Sequence, residues 1–251
     1  MSLPKTPSFR LDGKRALVTG GSRGIGLGCA VALAEMGAEV VIAARNKTEI
    51  GQAVAAMQDA GFNADGFALD VSDIPAVRKY FADHGPFDVV VNSAGLARHG
   101  PAIDTIEDDF DAVTAVNFKA AYFLAQEAAK GMKNGGSIIQ ISSQMAYVGG
   151  IERAVYCGTK HGVEGFTKAM AIEWGKQGVR INTICPTFVR TAFTEKSFQD
   201  PERRAWILNM IKLGRVAEVE DIMGAVQFLA SDASAMVTGT SLLIDGGWTA
   251  D

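Results

Sequence analysis

The sequence predicts an α/β fold: one doubly wound parallel sheet of about seven strands, in a single domain spanning residues 1–251. Three observations predict it. Short apolar runs alternate with helical patterns along the whole chain. The central runs, Val89-Val90-Val91 and Ile138-Ile139-Gln140-Ile141, are nearly continuous rather than alternating, as strands covered on both faces by crossover helices should be. The first run is followed at once by a glycine-rich turn and then by a helical pattern.

The elements follow in order. Residues 15–19 read as a buried strand, Thr19-Gly20-Gly21-Ser22-Arg23-Gly24-Ile25-Gly26 as a turn, and Leu27-Gly28-Cys29-Ala30-Val31-Ala32-Leu33-Ala34 as a helix. Further strands are expected at 39–43, 66–69, 87–92, 137–142, 179–184 and 241–245, with helices at 47–60, 74–83, 110–130, 154–175 and 219–229. The segment 188–214 breaks the alternation, being long and mixed and carrying Pro201. An insertion beyond a strand's C-terminal end is a candidate lid, because ligands of such sheets lie at that edge.

Composition narrows the function. The chain is 48% hydrophobic and 21% charged, ordinary for a globular protein with a sizeable core. A net charge of −4 without a long basic run makes nucleic acid and anionic membrane poor partners. No stretch approaches the ~18 apolar residues of a membrane span, and Met1-Ser2-Leu3-Pro4-Lys5-Thr6-Pro7 lacks the apolar core of a signal peptide. Cys29, Cys157 and Cys185 are odd in number and widely spaced, which fits reduced thiols and a cytoplasmic location. With His84, His99 and His161 equally scattered, no metal site is expected.

A strand, a glycine turn and a helix N-terminus together make a pyrophosphate site: glycines let backbone approach the phosphates, and the N–H groups and dipole of the helix start favour the anion. Gly20, Ser22, Arg23, Gly24, Ile25 and Gly26 are therefore candidate cofactor contacts. Their Gly-x-x-x-Gly-x-Gly spacing differs from the Gly-x-Gly-x-x-Gly of most dinucleotide folds and resembles the short-chain dehydrogenase/reductase family. The second strand ends Val41-Ile42-Ala43-Ala44-Arg45-Asn46, without the acid that usually meets the adenosine ribose hydroxyls of NAD. Arg45, helped by Arg23, suits a 2′-phosphate by charge and fork geometry, so NADP(H) is expected to be preferred, with NAD(H) possible. A helix cap or a solvated arginine is the alternative for Arg45.

Tyr156-Cys157-Gly158-Thr159-Lys160 lies within a predicted helix, so Tyr156 and Lys160 share a face. Ser143 ends the preceding strand, Asn117 follows Ala115-Val116, and Asn92-Ser93-Ala94-Gly95 ends the fourth strand. These positions match the short-chain dehydrogenase/reductase pattern in order and spacing from about Gly13 to Trp248, and the chain is identified as a member of that family. Its fold is then of the Rossmann type and its activity the interconversion of a secondary alcohol and a ketone. A tyrosine, with an unperturbed pKa of about 10, is a poor base at neutral pH. A neighbouring ammonium, with an oxidised nicotinamide, would stabilise the phenolate. Tyr156 is expected to exchange the proton, Lys160 to poise Tyr156 and hold the nicotinamide ribose, and Ser143 to bond the substrate oxygen.

The resemblance further implies that Asn117 holds a water relaying protons from Lys160. It places Asp70 on the adenine amino group, with Val71, Asn92, Ala94 and Gly95 along the cofactor, and Pro186, Val189 and Thr191 at the carboxamide. It also implies a homotetramer. Family members commonly read Asn-Pro-Gly where this chain has Cys185-Pro186-Thr187. Asp70 and Thr191 are equally readable as helix caps.

For the substrate, Ala94-Gly95-Leu96-Ala97-Arg98 departs from ketoacyl-carrier-protein reductases and is similar to gluconate and related sugar-acid dehydrogenases, which place an arginine at the position of Arg98. Ser142-Ser143-Gln144, Tyr156-Cys157 and Cys185-Pro186-Thr187 resemble xylulose-type carbonyl reductases. Arg98, Gln144 and Phe193 are thus candidate substrate contacts, together with Ser143 and Tyr156; Arg98 in a solvated loop is the alternative. Phe188, Phe193, Phe198 and Trp206 would line the lid or a subunit contact. The expected function is oxidation or reduction of a sugar, polyol or sugar acid. A reductase of 3-ketoacyl carriers or small carbonyls is the nearest alternative. A catalytically silent dinucleotide sensor is the alternative of another class, and the complete Ser143, Tyr156, Lys160 and Asn117 set argues against it.

Overall fold

A computed structural model describes residues 1–250, apart from the side chain of Lys196. Seven strands, all parallel, form one sheet in the order β3-β2-β1-β4-β5-β6-β7. They are β1 (Arg15–Thr19), β2 (Glu39–Ala44), β3 (Ala64–Ala68), β4 (Val89–Asn92), β5 (Gly136–Ile141), β6 (Val179–Pro186) and β7 (Ser241–Ile244). The order reverses between β1 and β4, which opens a crevice at the strands' C-terminal ends.

The sheet separates two apolar layers, and β1 shows how: Ala16 and Val18 pack into one layer while Leu17 packs into the other, all fully buried. The first layer holds α1 (Gly24–Glu35), α2 (Lys47–Asp59) and α9 (Glu220–Ala230); the second holds α3 (Ile74–His84), α5 (Ala121–Gly131) and α6 (Ala154–Trp174). Helix starts follow local chemistry. Asn46 caps α2 by accepting from the Thr48 and Glu49 N–H groups, and Asp73 caps α3 through Ala76 N–H. At Gly28 a Cβ would lie 2.2 Å from Val219 Cγ1, so glycine lets α1 lie against the chain entering α9.

Two expectations are corrected. The strand expected at 66–69 starts at Ala64, because an edge strand exposed on one side shows no continuous apolar run. The single helix expected at 110–130 is three pieces: α4 (Glu107–Thr114), a π-helical stretch Ala115–Ala120, and α5. Periodicity continues through a π turn, so the sequence pattern does not register it. The segment 188–214 carries α7 (Glu195–Gln199) and α8 (Pro201–Met210), the latter capped by Asp200 with Pro201 in its first turn. Phe188, Ile207, Ile211 and Trp248 anchor it in a small third cluster. No described helix is long and apolar enough to cross a membrane.

Candidate active site

A cleft of about 610 Å³ runs along the C-terminal edge of the sheet. Its floor is the glycine turn, where Gly20 and Gly24 take positive φ values of 66° and 53°. Gly26 allows the closest approach: a Cβ there would lie 2.0 Å from the Gly20 carbonyl oxygen. α1 starts on this turn with no side-chain cap at Arg23 and no acid in its first turn. Its first N–H groups and dipole thus face the cleft without an anionic partner from their own helix, which fits a pyrophosphate. Ser22, Arg23 and Ile25 line the same wall.

At the adenosine end the cleft is lined by Arg45, Asp70 and Val71. Burial pushes the Asp70 carboxyl up, but hydrogen bonds from Ser72 and the charge of Arg45 together bring it below the usual range. Glu49, which sequence reasoning missed, also stands here, in the first turn of α2. It accepts from Ser22 Oγ at 3.2 Å and pairs with Arg23 Nη1 at 3.2 Å. Part of the Arg23 charge is therefore answered by Glu49, leaving Arg45 as the cation free of an ion pair among the described residues.

The chemical end is built where β5 runs into Ser142-Ser143-Gln144 and meets α6. Ser143, Gln144, Tyr156 and Lys160 all line the cleft there. Ser143 Oγ donates to Gln144 Oε1 at 2.9 Å and accepts from Met145 N–H at 3.1 Å. Lys160 Nζ donates to the Ile141 carbonyl at 2.8 Å and lies 5.7 Å from the Tyr156 ring centre. Burial brings the Lys160 ammonium down to about 8. Burial also raises the Tyr156 hydroxyl above its ordinary value, outweighing the Ser143 hydroxyl and the Arg153 charge that pull it down. The phenol is thus not pre-ionised by the residues around it: it stands in its proton-donating form at neutral pH, with a titrating amine nearby.

Ala94, Gly95, Pro186, Val189, Thr191 and Phe193 likewise lie on the cleft wall. Three expected residues do not. Asn92 is buried in the sheet, accepting from Thr19 Oγ1 at 2.7 Å and donating to Gln140 Oε1 at 2.8 Å; it ties β1, β4 and β5 together behind the cleft. Asn117, in the π stretch, has both ends of its amide on Leu96: Oδ1 accepts from Leu96 N–H at 2.8 Å and Nδ2 donates to Leu96 O at 2.7 Å. It sets the loop after β4. Arg98 pairs with Asp109 at 2.6 Å, away from the cleft lining, because α4 brings an acidic first turn to that loop. The structure instead places Arg153 on the cleft wall, a residue whose position in the sequence carried no signal beyond its nearness to Tyr156. Two buried hydroxyls on the wall, Ser142 and Thr187, have no hydrogen-bond partner among the described residues, and they fit the polar edge of a bound ligand. Among the described residues no group of three His, Cys, Asp or Glu side chains converges on a metal-sized site.

A doubly wound sheet, an uncapped helix start at the switch point and a serine, tyrosine and lysine at the far end of the same cleft define a dinucleotide-dependent oxidoreductase. Comparison with known proteins agrees. Residues 20–249 match the family model described as Enoyl-(Acyl carrier protein) reductase. The chain is 42% identical to the D-threitol dehydrogenase of Mycolicibacterium smegmatis, over 96% of this chain and 95% of that one. It is 38% identical to the gluconate 5-dehydrogenase of Gluconobacter oxydans, over 96% of each. The crystal structure of a gluconate 5-dehydrogenase from Burkholderia cenocepacia, in complex with NADP and tartrate, superposes with a TM-score of 0.93 at 36% identity, covering 97% of this chain and 98% of that one. The chain belongs to the short-chain dehydrogenase/reductase family and is an NAD(P)-dependent oxidoreductase acting on a CH–OH group.

Proposed function

We propose that this protein interconverts a secondary alcohol and a ketone on a sugar, polyol or sugar acid, with NADP(H) preferred over NAD(H). The observation that carries it is the meeting of Ser143, Tyr156 and Lys160 on the wall of the cleft that also receives the start of α1. A nicotinamide dinucleotide, when bound, supplies the hydride acceptor or donor. The residues do the rest. Ser143 Oγ donates to the substrate oxygen and shares its developing negative charge. Tyr156 Oη gives its proton to that oxygen in reduction and takes it in oxidation. Lys160, as ammonium, favours the phenolate left on Tyr156. Asn117 and the π stretch around it are assigned to hold the water through which Lys160 recovers its proton, since π turns inside helices recur at functional sites. Asp70 with Val71 is assigned to the adenine, Arg45 to the 2′-phosphate, and Pro186, Val189 and Thr191 to the carboxamide.

The substrate class is supported by the relatives named for threitol and gluconate. The NADP preference is supported by Arg45 at the end of β2 and by the NADP in the Burkholderia structure. The segment 188–214 is proposed as the substrate lid, with Phe193, 64% exposed, at its cleft edge. A homotetramer is supported by exposed Phe110, Phe118 and Tyr122 along α4, the π stretch and α5, and by exposed Leu243 on the edge strand β7. A cytoplasmic location is supported by three unpaired cysteines. The description of the matching family model favours a second reading, reduction of a carrier-linked acyl chain. Initial rates with polyols, sugar acids, simple secondary alcohols, a ketoacyl thioester and an enoyl thioester, in NADP(H) and NAD(H), test both. Turnover confined to a thioester would replace the first reading with the second, and dinucleotide binding without turnover in either direction would favour a sensor.

A further inference from the structure

Arg153 stands on the cleft wall beside Tyr156, without an ion pair among the described residues. It is the N-cap residue of α6, preceded by Glu152 at φ 61°, an uncommon conformation for any residue but glycine. Glu152 itself is exposed, while Arg153 is half-buried. The guanidinium is held from three sides. Nη1 donates to His99 Nε2 at 2.8 Å, Cζ lies 5.3 Å from the Phe188 ring centre, and Cδ passes so close to Gly150 that a Cβ there would come within 2.8 Å. Since His99 accepts at Nε2, it is neutral and carries its proton on Nδ1; partial burial, with the charges of Arg153 and Arg203, keeps its pKa below the ordinary range. The His99 ring in turn meets the Tyr156 ring edge-on at 5.8 Å.

A neutral imidazole and an aromatic face fix the guanidinium without neutralising it. Among the described residues no carboxylate lies within ion-pair distance of Arg153. Burial first, and the charge of Arg203 on α8 second, act against its positive charge, and the charge of the neighbouring Glu152 offsets them only in part. One Nη is committed to His99 and the remaining N–H groups have no partner among the described residues.

We propose that Arg153 anchors a substrate carboxylate, so that the preferred substrates are sugar acids rather than neutral polyols; this rests on the oxidoreductase reading above. The planar fork suits a carboxylate held by two N–H groups, and the anion supplies the counter-charge that the protein withholds. The charge of Arg203, on α8, also acts at this place and adds to the attraction for an anion. Arg98, which the sequence pointed to for this task, has its own carboxylate in Asp109.

The test compares each alditol with the aldonic acid of the same four- to six-carbon chain, assayed with NADP⁺ in the wild type and in Arg153→Gln and Arg153→Lys. Wild-type kcat/KM is expected to favour the acid at least tenfold, the lower end for a charge-assisted hydrogen bond. Arg153→Gln should collapse that ratio, chiefly through KM for the acid, and Arg153→Lys should retain part of it. Alditols turned over as well as their acids, a ratio unchanged in Arg153→Gln, or a preference for the phosphate ester of the same chain would each overturn the assignment. If the wild type binds NADPH but is silent on the whole series, it is the sugar, polyol or sugar-acid substrate reading that fails, and the carboxylate anchor with it. Should Arg153→Gln not fold, competitive inhibition of the wild type by tartrate decides: no inhibition at concentrations that saturate with the acid substrate overturns the anchor.

Discussion

Replacing Gly26 by alanine tests whether the close packing of the glycine turn is what makes the cofactor site. The added methyl would sit 2.0 Å from the Gly20 oxygen and 2.6 Å from its carbon, where carbon contacts normally begin beyond about 3.5 Å. Both atoms belong to backbone, so no side chain can swing aside, and the start of α1 must move off the turn by about 1 Å or more. Overpacking of this kind costs about 3 kcal/mol at the upper end of its usual range, while alanine's helix propensity returns up to about 1 kcal/mol. The net loss of about 2 kcal/mol lowers Tm by about 4–8 °C in a chain of this size. The first-turn N–H groups shift with the helix, and losing one charge-assisted hydrogen bond weakens NADPH binding by about tenfold or more. Gly51→Ala is the matched control: it lies exposed in α2, and a Cβ there would meet nothing within 4 Å. Its Tm should rise by about 1–4 °C for a propensity gain of up to about 1 kcal/mol, with NADPH affinity unchanged. Calorimetry and a fluorescence titration read both. Gly26→Ala that melts at the wild-type temperature and binds NADPH within twofold would refute the argument.

Tyr156→Phe should lower kcat by about 10²–10⁴ with an unchanged Tm, and near wild-type turnover would remove Tyr156 as the proton donor. The Lys160 ammonium is held down to about 8, so its protonated fraction falls as pH rises through that value; kcat/KM for ketone reduction should fall over the same interval, against a flat profile from pH 6 to 10 if the charge is irrelevant. Arg45→Asp should weaken NADPH binding by about tenfold or more, and an unaltered affinity would take Arg45 off the 2′-phosphate. Glu49→Gln frees Arg23 from its ion pair and should tighten NADPH by about threefold at low ionic strength, an effect that fades with salt.

Much of the fold was legible because its signals are local. Continuous apolar runs marked the strands buried on both faces, and β1, β5 and β6 lie within a residue or two of where they were expected. β3 was read less well, since an edge strand with the sequence Ala-Asp-Gly-Phe-Ala has no run to show. The π stretch inside the helix expected at 110–130 was invisible for a different reason: one widened turn leaves the pattern of apolar residues almost unchanged.

In the site, the glycine turn and the Tyr156–Lys160 spacing each lie within one short segment, so the sequence by itself determined the turn and the pair proposed for phosphate binding and proton transfer, and the element that carries each. Which charges are satisfied was decided only by the tertiary structure. Arg98 and Arg153 are equally charged in the sequence, yet α4 brings Asp109 to the first while His99 and Phe188 hold the second without neutralising it. The same holds for Arg23 and Arg45, separated by the arrival of Glu49 from the next helix. A side chain's charge is written in the sequence, but its counter-charge comes from whatever segment the fold packs against it.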